Sequence, residues 1–167
     1  DTWSLSPYLQ FGDERTRAAR DLLAQVPLLS AHRIVDVGCG PGNSTALLAE
    51  RFPTADLLGL DSSPRMLAAA RAALPLAQFI EGDATNWVPD ADVDLVFGNA
   101  VYQWIPAHIT QLARVLGAMH EGAVLAVQMP DNLAEPTHQL MLRVAEDGPW
   151  AQRLAGAARE PLPPVRA

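Results

Sequence analysis

Apolar runs carrying β-branched residues alternate along this chain with longer stretches whose apolar positions recur every three to four residues. Runs that are apolar throughout predict strands covered on both faces, and the longer stretches predict helices with one buried stripe. Strands are expected at RIVDV (33–37), DLLGL (56–60), AQFIE (77–81), DLVFG (94–98) and AVLAVQM (123–129). Between them Leu47 and Leu48 mark one helix, and Met66, Leu67, Ala70, Ala73 and Leu74 mark a second. Ser63 before Pro64 supplies an N-cap and a first-turn proline for that second helix. Ile109, Leu112, Ala113 and Leu116 stand at i, i+3, i+4 and i+7, and are expected to form one buried stripe. A leading helix in GDERTRAARDLLAQV (12–26) turns Ala19, Leu22, Leu23 and Val26 inward, and THQLMLRVAED (137–147) turns Leu140, Met141, Val144 and Ala145 inward.

Strand and helix in alternation is the βαβ pattern, so the expected fold class is α/β, a doubly wound sheet of five mainly parallel strands with helices on both faces. A single domain over 1–167 is expected: a leading helix and lid (1–30), the core (31–147) and a tail (148–167) in which Ala and Pro displace any sustained pattern.

Charge narrows the partners. With Asp+Glu 19 against Lys+Arg 12 the net charge is −7, which opposes attraction to nucleic acid or to an anionic membrane. Small-molecule partners are therefore expected, with no nucleic acid and no membrane. The lone cysteine, Cys39, excludes an intramolecular disulfide and a cysteine-rich zinc cluster, and no metal site is expected. No apolar run approaches the roughly 18 residues of a membrane span. The opening DTWSLSPYLQF lacks a basic-then-apolar leader, and a cytoplasmic location is expected.

The chemistry gathers in IVDVGCGPGNST (34–45), which follows the first strand and opens the first crossover helix. In a doubly wound sheet, ligands bind there, outside the carboxyl ends of the strands. Gly38 and Gly40 allow a tight turn and a close backbone approach. A dinucleotide fingerprint would place its third glycine at position 43, where Asn43 stands, while the extra glycine is Gly42 and Pro41 has no N–H to offer a phosphate. Asp36 would repel a pyrophosphate and attract an ammonium or sulfonium group. At ~4 Å and an effective dielectric of ~20, such an attraction amounts to about 4 kcal/mol before desolvation. Asp61 closes the second strand, where the acid of such folds accepts from both ribose hydroxyls. Asp83 closes the third, within reach of an exocyclic adenine amine. The alternative for Asp83 is a cap on its own turn, and for Met66 a place in the core.

The segments VDVGCGPGNS, GLDSSPRML, EGDATNW and DLVFGNAVYQWIP resemble the four consecutive motifs of the class I S-adenosylmethionine-dependent methyltransferases, and the likeness extends over almost the whole chain. The resemblance implies a Rossmann-like fold lacking the last two strands of that class, with S-adenosyl-L-methionine as cofactor. It implies cofactor contacts at Asp36, Gly38, Gly40, Gly42, Asp61, Ser62, Met66, Asp83, Ala84 and Asn99. The opening YLQFGDERTRAARDLLAQVP and the segment VQMPDN are similar to members that methylate a carboxylate oxygen of a small polycarboxylate such as trans-aconitate. On that likeness Tyr8, Arg15, Tyr102 and Trp104 are expected on the acceptor side, although packing of Trp104 under the next helix is the competing expectation. Such a reaction needs no general base, because a carboxylate nucleophile is already ionised at neutral pH; alignment and desolvation carry it, and no catalytic residue is nominated. Alternatives at this stage are another small acceptor, such as a quinone precursor or a lipid, or a cofactor-binding domain without turnover. A monomer is expected, with the uncapped edge of the fifth strand available for self-association.

Overall fold

The computed structural model describes residues 12–156. Its core is one five-stranded sheet in the order β3-β2-β1-β4-β5. The strands are β1 (Arg33–Val37), β2 (Asp56–Asp61), β3 (Gln78–Glu81), β4 (Leu95–Asn99) and β5 (Val124–Gln128). Every pairing is parallel. Each strand lies within a residue or two of its expected position. The helices are α1 (Gly12–Gln25), α2 (Asn43–Arg51), α3 (Pro64–Ala73), α4 (His108–Ala118), α5 (Pro136–Asp147) and α6 (Ala151–Leu154), with a 3-10 turn at Tyr102–Trp104.

Register explains how the central strand is buried twice. Ile34 pairs with Leu95 and Asp36 with Phe97, so these side chains share a face, on which Ala19 and Leu23 of α1, Leu48 of α2 and Phe52 just beyond it pack. Val35, Val37 and Val96 fill the opposite face and are almost fully buried. A smaller cluster joins α3 to β3 through Leu67, Ala70, Phe79 and Cys39. Arg51, in the last turn of α2, donates to the carbonyls of Leu23, Val26 and Leu28, and so satisfies acceptors at and beyond the end of α1. Ser63 caps α3 by accepting from the Met66 N–H, with Pro64 at the first helical position, as its sequence predicts.

Two helical stripes differ from expectation. On α4 the buried residues are His108, Gln111 and Val115, whereas Ile109 and Leu116 are more than half exposed and Ala113 is exposed. The helix starts from Ala107 in the left-handed region, and from that start its inward face carries Gln111, whose side chain binds a neighbouring loop. Leu140, Met141 and Val144 of α5 are likewise exposed, and only Ala145 is half-buried. Packing divides the chain at Gln128/Met129 into two compact units. Within the second, these α5 residues line an open apolar hollow with Trp150 and Leu154, too few groups to enclose one another. No described helix is long and apolar enough to cross a membrane.

Candidate cofactor site

The glycine turn is built from β1 outward. Gly38 and Gly40 adopt φ values of +69° and +54°, which a Cβ disfavours by about 1–2 kcal/mol. The N–H groups of Gly38 and Cys39 both donate to the Leu60 carbonyl, at 2.7 and 3.1 Å, folding the turn against β2. Asp61, ending β2, then ties two loops together: its Oδ2 accepts from the Gly40 N–H and its Oδ1 from the Ser63 N–H, each at 2.9 Å. The Cys39 thiol faces away into the α3 cluster, where burial and then the charges of Asp36 and Asp61 push its pKa up, so it is no nucleophile.

Above the strand ends lies a cavity of about 630 Å³, a size suited to a nucleoside-type ligand. Of the expected residues, Gly38, Gly40, Asp61, Ser62 and Met66 line it on the β1–β2 side. Asp83, Ala84 and Trp104 line it on the other. The two acids are arranged alike: Asp83 Oδ1 accepts from the Thr85 N–H at 2.9 Å, as Asp61 does from Ser63, so each strand-end carboxylate closes its own Asx turn. The Thr85 N–H and then its hydroxyl hold the Asp83 carboxyl below its usual range. Sequence reading did not single out Ser63, Gly82, Thr85, Val101 or Ile105 as lining residues. The Asp-x-Ser/Thr spacing of DSS and DAT was the signal for two of them.

Four expected contacts stand outside this lining. Asp36 is 2% exposed and lies outside the cavity, because its register with Phe97 turns it onto the α1/α2 face. There its Oδ2 accepts from the hydroxyls of Ser44 (2.7 Å) and Thr45 (2.6 Å), and its Oδ1 is buried without a partner. Burial drives its pKa up to about 6, against the lowering effect of those two hydroxyls. Gly42 is also outside the lining: with φ at +95° it starts α2, accepting from the Ala46 N–H. Asn99 ends β4 with its side-chain oxygen buried and unpartnered. Tyr102 is wholly buried, its ring lying over Gly98, where an added Cβ would approach Cε2 to 2.6 Å; burial raises its phenol to about 12. Trp104, expected at the wall or under a helix, is 62% exposed at the cavity rim. Tyr8 lies outside the described residues, as does the side chain of Arg15.

Gln111 holds the Asp83 side of the cavity from a distance. It is 3% exposed, and its Nε2 donates to the carbonyls of Ala84 (2.9 Å) and Trp87 (2.5 Å) while its Oε1 accepts from Arg114 (3.0 Å). The inward face of α4 is polar because it carries this tether.

A parallel sheet of this order, with a glycine turn after its central strand and an acid at the end of the next, defines a nucleotide- or nucleoside-binding α/β domain. Residues 34–121 match the methyltransferase domain family, and the chain belongs to it. It is 57% identical over 163 residues to a trans-aconitate 2-methyltransferase of Azoarcus sp. (strain BH72), covering 97% of this chain and 64% of that protein. It is 55% identical over 156 residues to a protein of the same name from Afipia carboxidovorans, covering 93% and 61%. The chain thus spans less than two thirds of these curated relatives. Among solved structures it is similar to an S-adenosylmethionine-dependent methyltransferase from Mesorhizobium loti, with TM-score 0.63 and 27% identity over 71% of this chain and 56% of that one. It is similar also to the S-adenosylmethionine-bound amino pentose methyltransferase CalS10 of Micromonospora echinaspora, with TM-score 0.59 and 26% identity over 78% and 58%.

Proposed function

We propose that the chain binds S-adenosyl-L-methionine in the cavity above β1–β4 and belongs to an enzyme that transfers the methyl group to a carboxylate oxygen of a small polycarboxylate such as trans-aconitate. The observation that carries the cofactor half is the pairing of a left-handed glycine turn with carboxylates at the next two strand ends. The lining contains Asp61 and Asp83 and no cationic side chain. That balance suits a ligand bearing sulfonium and ammonium charge and disfavours a pyrophosphate. The acceptor half is supported by the names of relatives more than half identical over almost the whole of this chain.

In this reading the remaining lone pairs of Asp61 accept from ribose hydroxyls, Met66 packs on the adenine, and Asp83 with Ala84 meets its edge. Gly38 and Gly40 admit the amino-acid end, and Ser62 borders the ribose. Asp36 acts indirectly, holding Ser44 and Thr45 and with them the start of α2. The chemistry supplied by the cofactor is an electrophilic methyl on a neutral leaving group. The residues of the chain fix the approach, and the apolar rim of Val101, Trp104 and Ile105 excludes water from the nucleophile. A polycarboxylate needs cationic partners that the described lining does not contain, so the acceptor clamp is assigned outside it.

Calorimetric titration with S-adenosylmethionine, S-adenosylhomocysteine and NAD, followed by labelled methyl transfer to a panel of carboxylates, tests both halves. Micromolar binding of the first two and esterification of trans-aconitate are expected. Preference for NAD refutes the cofactor half; tight cofactor binding by the full-length enzyme with transfer only to non-carboxylate acceptors refutes the acceptor half.

A further inference from the structure

We infer that Gln103 is a positioning residue for the methyl-donor end of the cavity, acting through the backbone of Ala100. Ala100, immediately after β4, lines the cavity and has φ at +56°. An alanine does not hold that conformation unaided. It is pinned from both sides: its N–H donates to the Gln128 carbonyl at 2.9 Å, and its carbonyl accepts from Gln103 Nε2 at 2.6 Å. The left-handed step directs the next residue, Val101, against Gly38, so that a Cβ placed on Gly38 would lie 2.5 Å from Val101 Cγ2. The chain then closes into the 3-10 turn, whose Trp104 and Ile105 N–H groups donate to Val101 and Tyr102. Val101, Trp104 and Ile105 all line the cavity. One side-chain hydrogen bond therefore sets where three lining residues stand.

Gln103 is an expensive way to fill space. It is 6% exposed, and its Oε1 is buried with no partner. A buried carboxamide that leaves its oxygen unsatisfied loses to a leucine of similar volume on stability alone. Its worth lies in the carbonyl it holds, a local rule broken where the cavity needs it.

The inference separates from a structural role by experiment on the full chain. Gln103→Leu keeps the volume and removes the donor. Its midpoint of denaturation is expected to stay level or rise, while exchange of the Ala100, Trp104 and Ile105 amides quickens about five- to tenfold, the worth of one hydrogen bond. Amides of β1 are expected to stay unchanged. Adding Ala100→Gly, for which positive φ is no penalty, is expected to restore most of that protection. The affinity for S-adenosylhomocysteine is expected to fall and recover in parallel. That arm rests on the cofactor reading, whereas the exchange arm does not, so a chain that ignores the nucleoside yet shows the exchange pattern refutes only the former. Unchanged exchange in Gln103→Leu, or a loss that Ala100→Gly fails to repair, overturns the positioning role.

Discussion

Replacing Asp36 by asparagine removes a buried charge while keeping the side chain's shape, and its effect should depend on pH. The carboxyl is sealed between the sheet and α2, and burial lifts its pKa from 3.8 to about 6. At about 1.4 kcal/mol per pH unit, ionising it in the folded chain costs about 3 kcal/mol more than in the unfolded chain. The sign follows from proton binding: between pH 4 and 6 the folded state keeps a proton that the unfolded state has released, so stability falls as pH rises through that window. Urea denaturation at half-unit intervals from pH 4 to 8 measures it. Subtracting the Asp36→Asn curve from the wild-type curve should leave a decline of about 2–3 kcal/mol centred near pH 5 and flat above about 6.5. Above pH 7 the variant should be no less stable than the parent, since the removed charge offsets the two hydroxyl bonds it weakens. Parallel wild-type and variant curves over the whole range would refute the buried-acid account, and with it the assignment of Asp36 to the core.

Three further outcomes follow from the same geometry. Asp61→Ala removes the acceptor for the Gly40 and Ser63 N–H groups, and affinity for S-adenosylmethionine in calorimetry should drop by about 10- to 100-fold. Gly38→Ala puts a Cβ 2.5 Å from Val101 at a φ of +69°; chemical denaturation should register a loss of about 2–4 kcal/mol, the sum of backbone strain and overpacking. Gln111→Leu leaves the carbonyls of Ala84 and Trp87 without their shared donor. Stability should fall by about 1–3 kcal/mol, with hydrogen exchange rising in 82–87 before any change in β1.

The sheet was legible because most of its strands are short, mainly apolar runs set between longer stretches of helical period. RIVDV and DLVFG are too continuous for a half-exposed strand and too short for a helix, and both occupy the centre of the sheet. The places of Gly38, Gly40 and Asp61 in the cavity lining were legible for a similar reason, since backbone conformation and strand-end position dictate residue type locally. Asp36 was misplaced because period-two alternation fixes its face only once the neighbouring strand is in register, and that partner, Phe97, lies far along the chain. The α4 stripe was out of phase because hydropathy counts Gln111 and His108 as outward, whereas a carboxamide with three bonds is content inside. Val101 and Ile105 were hidden because an alanine in the left-handed region leaves no mark on sequence.

The strand order also bears on how the cavity comes into being during synthesis. One neighbour of β1, β2, follows it after a single helix, but the other, β4, arrives only after α3, β3 and the following loop have emerged. Such non-local closure is slow and comes late. The cavity needs both the Gly38 turn and the strap through Ile105, so a nascent chain interrupted ahead of that strap lacks one wall of it. A ligand held by both walls stabilises the finished sheet.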